Sequence, residues 1–510
     1  MVVLNQTVLA TLESPSGIYN INNEDYTLNG ATLAIPAGKT LRFSNGGTIN
    51  NGTLQLSNNL LDGLANGSIN ARITGTIQNT VLYTTQISGI DNLGLTDYSG
   101  ITVYCNQNDV VNHTIILNNI NASNPAIFDG LNNSFTCNVT FFQILGQSNI
   151  TIRNFIANAN AADIVFEEMV TTSSNVTNVN VNDNTIADFK MGISLNNDSA
   201  DYTVSYSNVK GNHISNCTGS TPGNGYGIHM ANARHCMVSG NEVVNCERHA
   251  IYLAYGEDNI IKENYIRNHC QNIVTYNLLA ALEIGRKSKN IDVNNNTFEN
   301  CNNVCLLVYS PLPSDDADGS SHLWRYGKCE GITICDNCFA RDNNLTGSIG
   351  NLPYIYIGVE GTAYPPLMTS GRGVADVEIL DNTFQMPGGE NQKCIRVNQC
   401  EELTISGNSF QLGLSSSPQS NEYLVIDIPV NHIAGYISNI EIYQNTFSYV
   451  TTGIGNLYLI GENMSLINSS NSPFYTISWY NNTLQNQVIG GNTMYQLSKY
   501  ALGNNFSYIP

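Results

Sequence analysis

Apolar and polar residues alternate in short runs along this chain, and Gly, Asn and Ser punctuate the runs. From Val179 to Leu484 one phrase recurs: an apolar residue, two spacers, an asparagine, one spacer, another apolar residue. Its asparagines are Asn184, Asn212, Asn241, Asn264, Asn296, Asn337, Asn382, Asn408, Asn445 and Asn482, at gaps of 23 to 45 residues. Val181 and Ile186 flank the first, and Trp479 and Leu484 flank the last. A fixed phrase at such gaps marks an internal repeat. Each repeat predicts a strand such as Val377–Ile379, a turn at the asparagine, and further strands.

A second set of strands aligns across the repeats: Gly192–Leu195, Gly227–Met230, Ala250–Leu253, Ala281–Ile284, Cys305–Val308, Ile355–Ile357, Cys394–Val397 and Val425–Ile428. Period-2 alternation places their apolar residues inside and the residue between them outside. A unit of this size with short strands and no helical period is one coil of a solenoid, burying its apolar face against its neighbours. Asparagine suits a repeated corner because it tolerates left-handed backbone, and its amide can bond to the next asparagine. Ahead of the repeat, Ile35–Phe43, Gly46–Ile49 and Asn51–Leu56 read as strands and turns, and Leu60–Gly63 as a brief helical or loop piece. Val81–Tyr83, Ile101–Tyr104 and Thr114–Leu117 read as strands without the phrase.

Composition narrows the function classes. The 510 residues carry a net charge of −20, which repels a phosphate backbone and argues against nucleic acid as a partner. Only 12% of residues are charged, so Asn, Gly, Ser and Thr carry the polar load, as short strands and tight turns require. No apolar run is long enough to span a bilayer as a helix, so no membrane insertion is expected. The first residues, Met1–Gln6, show no basic stretch followed by an apolar one, and no signal peptide is expected. Of thirteen cysteines, Cys217, Cys246 and Cys301 each follow a repeat asparagine by five residues and predict a stack of buried, reduced thiols. Cys335 and Cys338 form a C-x-x-C around Asn337 without a second pair at zinc spacing, so no zinc site is expected there.

The asparagine phrase and stacked strands resemble the single-stranded right-handed parallel β-helix of pectate lyases, phage tailspikes and related proteins, over about residues 150–490. The all-β fold class and the handedness follow from that resemblance. The phrase Ile35–Leu56 resembles the opening segment of β-helix proteins of phages and gut Bacteroidetes. The expected organisation is an N-terminal attachment segment at 1–75, a β-rich transition at 76–148, a β-helix of about eleven coils at 149–490 and a C-terminal tail or cap at 491–510. Lyases, hydrolases, adhesins and structural spikes share this fold, so function has to come from a site.

With coils about 4.8 Å apart, the outward positions of the second strands form a row: Ser194, His229, Tyr252, Glu283, Leu307, Tyr356, Arg396 and Asp427. Rings, acids and bases on an exposed sheet suit a sugar chain; a mixed solvated face is the plain alternative. Catalytic candidates are Tyr356 with Arg396 on adjacent coils, and His229 with Glu283 about two coils, roughly 10 Å, apart. Glu283 and Asp427 lie four coils, roughly 19 Å, apart. They are too far apart to be the carboxylate pair of a glycosidase, which needs about 5–9.5 Å. His249, beside Glu247 and Arg248, reads as decoration of a turn. Two long insertions, Tyr309–Lys328 and Glu360–Gly373, leave adjacent coils at one corner and add Trp324, Tyr326 and Tyr364 as candidate sugar-binding residues. Asp315, Asp316 and Asp318 match part of a calcium loop without its distal Glu; no other cofactor is indicated.

The expected function is therefore a bacteriophage virion appendage, a tailspike or fibre, that binds host surface polysaccharide, with its degradation left open. The resemblance implies a homotrimer and contacts with other virion proteins through the N-terminal segment. A secreted or surface-bound bacterial polysaccharide lyase or hydrolase, and a purely structural spike, are the competing readings. The residues leave open whether the protein is an enzyme.

Overall fold

In a computed structural model the chain forms two compact units, Met1–Ser215 and Asn216–Pro510. The structure describes residues 1–118, 123–160, 168–173, 175–196, 204–219, 225–269, 280–309, 328–341, 352–358, 373–386, 393–398, 400–413, 422–428, 437–451, 456–462, 477–488, 494–498 and 506–509. Of the two insertions expected to carry a site, residues 310–327 and 360–372, with Trp324, Tyr326, Tyr364, Asp315, Asp316 and Asp318, lie outside these residues.

The first unit begins with a short strand, Val2–Val3, and a short helix, Gln6–Thr11, capped by the Asn5 side chain accepting from the Val8 amide and anchored by buried Leu9. Beyond it parallel strands stack already: Tyr26, Ile49 and Ile69 lie in register, as do Leu33, Leu54, Ile73 and Leu93. Leu60–Asp62 is not helical; it ends the long strand Gly47–Asp62 and pairs with Thr40–Arg42. Three-sheet winding starts earlier than the asparagine phrase. Val81–Tyr83 and Thr102–Tyr104 open the first sheet, Asp109–Val111 the second and Ile115–Asn118 the third. Edge and tilted contacts among Phe128, Phe135, Phe141, Phe142 and Phe155 supply the core instead of repeated asparagine.

The second unit shows the coil plainly. Lys289–Asn294 lies in the first sheet, Thr297–Glu299 in the second and Val304–Tyr309 in the third. Each pairs in parallel with the coil before and the coil after. The pairing continues to Met494–Ser498 in the third sheet and Phe506–Ile509 in the first, so strands persist into the expected tail.

The asparagines form a hydrogen-bonded ladder between the first and second sheets. Asn264 donates its backbone and side-chain N–H groups to Asn296 Oδ1, at 3.0 and 2.8 Å. Asn296 does the same to Asn337, and so on through Asn382, Asn408 and Asn445 to Asn482. Each side-chain N–H also reaches a backbone carbonyl of the preceding coil, as Asn382 does to Ile334 at 2.8 Å. The backbone expectation needs correcting. The asparagines are not left-handed; the residue before each is, from Asp183 and Gly211 to Glu263, Asn295, Asp336, Asp381 and Gln444. That residue absorbs the reversal, and the asparagine itself is free to aim its amide along the stack.

Inside, Phe298, Phe339, Phe384, Phe410 and Phe447 stack nearly parallel at centroid spacings of 4.8–5.0 Å. Trp479, buried at the apolar position three before Asn482, packs on Phe447 from the first sheet at 5.5 Å. Cys217, Cys246 and Cys301 are buried free thiols, as expected; Cys335 and Cys338 are free and half-buried.

Candidate functional site

The third sheet differs from the other two on its outward side. From the coil of Asp292 and Thr297 onward, the outward rows of the first and second sheets carry short or acidic side chains: Asp292, Thr333, Glu378, Thr404 and Glu441 on one, Thr297, Cys338, Thr383, Ser409 and Thr446 on the other; one coil earlier they hold Ile260 and Tyr265. The third carries His229, Tyr252, Glu283, Leu307, Tyr356, Arg396 and Asp427, one per coil, in the register the sequence predicts. In the first unit Ser194 pairs with Thr171 and is buried.

The expected exposure does not hold. His229, Glu283, Leu307, Tyr356 and Asp427 are buried, and Tyr252 and Arg396 are half-buried. These side chains bury one another: bulky rings on successive coils close over the sheet, and Leu307 and Tyr356 pack with Ala280, Val304, Tyr309 and Leu352. Two polar centres result, with Leu307 between them.

The first centre spans three coils. Tyr226 and Tyr252 stack at 5.5 Å with 10° between their planes, and His229 and His249 lean on both rings at 5.1–5.3 Å. The Arg248 guanidinium lies over the Tyr226 ring at 5.2 Å. His249, expected on a turn, instead opens the strand His249–Ala254. Its Nδ1 lies 2.9 Å from the Ala280 carbonyl oxygen and its Nε2 lies 3.4 Å from Glu283 Oε2. Gly285, two residues on, leaves room for the carboxyl: a Cβ there would sit 3.1 Å from Glu283 Oε1. Tyr255 and Arg286 follow their strands in left-handed backbone, at φ 55° and 61°, and the Arg286 guanidinium meets the Tyr255 hydroxyl. Such backbone costs about 1 kcal/mol or more per residue.

Burial governs the electrostatics here. It pushes Glu283 up to about 7, against the opposing pull of Arg286 and Arg248. It holds His249 well below its ordinary value, helped by Arg248 and His269, and lowers His269 to about 4. Burial also drives the Tyr252 hydroxyl well above its usual range.

The second centre holds two cations against one carboxylate. Lys393 Nζ is 2.6 Å and Arg396 Nε 3.8 Å from Asp427 Oδ2. Arg396 also donates to Asn398 Oδ1 at 3.1 Å and lies over the Tyr356 ring, and Asn398 donates to the Tyr356 hydroxyl. So the adjacency of Tyr356 and Arg396 is real, and four register steps do separate Glu283 from Asp427. His229 and Glu283 belong to one centre, with Tyr252 on the coil between.

Alternation alone misses Tyr226, His249, Arg248, Arg286, Lys393 and Asn398. Tyr226 and His249 are register partners at the start of their strands, where the period-2 rule no longer says which way a side chain leaves. Aligning the first residues of the strands, rather than their centres, would have found them.

Residues 201–311 match the family described as "right handed beta helix region". Among solved structures, the periplasmic alginate epimerase AlgG is 12% identical at a TM-score of 0.37, over 77% of this chain and 78% of that one. The tailspike protein of an E. coli bacteriophage, as a mutant in complex with a pentasaccharide, is 13% identical at 0.38, over 96% and 76%. The A-module of a mannuronan C-5 epimerase from Azotobacter vinelandii is 11% identical at 0.37, over 90% and 92%. No curated protein matches the sequence. The fold is a right-handed parallel β-helix; the likeness to these structures is one of fold.

Proposed function

We propose that the protein is a bacteriophage virion appendage, of tailspike or fibre type, that binds a host surface polysaccharide along the outward band of its third sheet. One observation carries this reading. Seven consecutive coils hold His229, Tyr252, Glu283, Leu307, Tyr356, Arg396 and Asp427 in unbroken register on the outward side of the third sheet, with Tyr252 and Arg396 the half-buried members that reach its surface. Aromatic faces and charged hydrogen-bonding groups are what a sugar chain engages. The acidic balance of the chain and the resemblance of its N-terminal phrase to phage β-helix proteins support the virion assignment. Residues 1–75 are then the part that docks on other virion proteins, and three chains form the working assembly.

Two measurements test this. Light scattering should give a mass near three times 55.5 kDa; a single chain in solution would end the trimer. Binding to purified capsular and O-antigen polysaccharides of Gram-negative bacteria should be measurable, and Tyr252→Ala and Arg396→Ala should weaken it at least tenfold. If both variants bind as the parent does, the third sheet is not the binding face.

A further inference from the structure

We infer that Cys301 and Cys305 are a redox pair: hydrogen peroxide oxidises the Cys305 sulfur, and Cys301 closes on it as a disulfide. The inference does not depend on the glycan-binding reading.

The pair sits where the chain turns from the second sheet into the third. Cys301 follows the strand Thr297–Glu299, and Cys305 lies in the strand Val304–Tyr309. The Cys301 thiol hydrogen-bonds to the Cys305 sulfur, and so does the Arg341 guanidinium of the next coil. Arg341 is held there by the carbonyl oxygens of Cys301, Asn303, Leu352 and Pro353, at 3.2, 2.6, 2.8 and 3.4 Å. It lies over the Tyr354 ring at 4.5 Å. The four carbonyls solvate the cation but bring no net charge, whereas the Cys305 sulfur can meet it as an anion.

This contact separates the pair from the other thiols. Burial opposes a thiolate at Cys305, but the Cys301 hydrogen bond and the charge and hydrogen bond of Arg341 outweigh it and hold Cys305 below its ordinary value. Burial prevails at Cys105, Cys137, Cys329, Cys394 and Cys400 and raises each of them. Partial burial and nearby carboxylates raise Cys335 and Cys338 as well. Cys217 and Cys246 hold the position of Cys301 in earlier coils, where Gly227 and Ala250 stand in place of Cys305. A thiol with thiolate character beside a second, resolving thiol is the arrangement that peroxide converts to a disulfide.

Both sulfurs are fully buried, so the oxidant has to be small. Hydrogen peroxide can enter through a local opening at Asn302 and Asn303, which are half-buried; a protein disulfide cannot. The Cys305 thiolate attacks one peroxide oxygen: the S–O bond forms, the O–O bond breaks and hydroxide leaves. The sulfur is oxidised to a sulfenic acid and the peroxide is reduced. Cys301 then attacks the Cys305 sulfur: the S–S bond forms, the S–O bond breaks, and the departing hydroxide takes the Cys301 proton as water. The first hydroxide takes the proton that Cys305 had released. Two thiols and one hydrogen peroxide thus give one disulfide and two waters. The product ties the corner that leads into the strand of Leu307.

The test exposes the full folded chain to hydrogen peroxide. The protein is then denatured, its remaining thiols are blocked with N-ethylmaleimide, and its tryptic peptides are read by mass spectrometry. Residues 290–325 form one tryptic peptide, with Cys301 and Cys305 as its only cysteines. It should carry no label and weigh about 2 Da less than its reduced form, and dithiothreitol before blocking should restore both labels. The Cys217 and Cys246 peptides should stay labelled. At pH 6 closure should be at least about tenfold faster in the folded chain than in urea, because only the fold supplies Arg341. In Cys301→Ser the resolving thiol is gone, and dimedone should trap the sulfenic acid on Cys305. The inference is overturned if the 290–325 peptide takes both labels at a peroxide dose that already oxidises Cys335 and Cys338. Closure that is no faster in the folded chain than in urea, or a Cys301→Ser chain without a dimedone adduct on Cys305, overturns it equally.

Discussion

The second and third sheets of the Asn216–Pro510 unit are built from the same coils and follow opposite rules. Under the second sheet, five phenylalanines stack with planes within 8° of one another. At its edge an asparagine on each coil bonds to the asparagine of the next. The best neighbour for such a residue is another copy of itself, so the repeat is self-reinforcing. The outward row of the third sheet shows no such copying: histidine, tyrosine, glutamate, leucine, tyrosine, arginine and aspartate succeed one another. Burial in and beside this row leaves two carboxyl groups, Glu283 and Asp427, and three imidazoles, His229, His249 and His269, in a poorly solvated layer. Stacking of like on like explains the first arrangement and not the second, which is why the second is where a function is sought.

The contrast should appear first in stability. Phe384→Ala opens a cavity in the middle of the column and should cost about 4 kcal/mol, read as a drop in the denaturation midpoint. Asn382→Ala strips the acceptor from the Asn337 backbone N–H and the donor from the Ile334 carbonyl. Two orphaned buried groups imply about 3 kcal/mol. If either variant melts with the parent, the column and ladder are ornaments rather than the frame.

Much of this frame is legible in the sequence because its elements repeat. The phrase around Asn184 to Asn482 gives the coil, and alternation within Ala281–Ile284 or Cys394–Val397 gives the register of the third sheet. What is not legible falls where the repeat lapses. Coils before Asn184 are held by a mixed phenylalanine cluster, so no phrase announces them. The outward row was expected to meet solvent because alternation says which side a residue takes, not what lies beyond that side. His249 looks like part of a charged turn because Glu247 and Arg248 precede it. Only the pairing of Tyr226 with His249 reveals that it opens a strand.

The third sheet should show itself next through pH. Glu283 is raised to about 7 in the fold from an ordinary 4.5, so between those values the native state holds a proton that the unfolded chain has lost. Stability therefore falls as pH rises through that window, by about 3 kcal/mol in all. His269, lowered to about 4 from 6.5, acts in the opposite sense: there the unfolded chain holds the extra proton, and stability rises with pH up to 6.5. The two largely cancel between pH 4.5 and 6.5, and His249, also lowered by burial, adds to the rise. Glu283→Gln removes the falling contribution, so it should match the parent near pH 4.5 and exceed it in stability by about 3 kcal/mol above pH 7. Equal denaturation midpoints of parent and variant at pH 8 would mean that the carboxyl is not held neutral.

The smallest effect isolates one neighbour. Arg286 is the foremost charge pulling Glu283 down, ahead of Arg248. Arg286→Gln removes that charge while keeping a donor that can face the Tyr255 hydroxyl. The Glu283 carboxyl then holds its proton to a higher pH, and the pH at which the fall in stability levels off, read from denaturation midpoints, should move up by about one unit. A levelling point that stays in place in Arg286→Gln would assign the titration to another residue and separate the pH dependence from the third sheet.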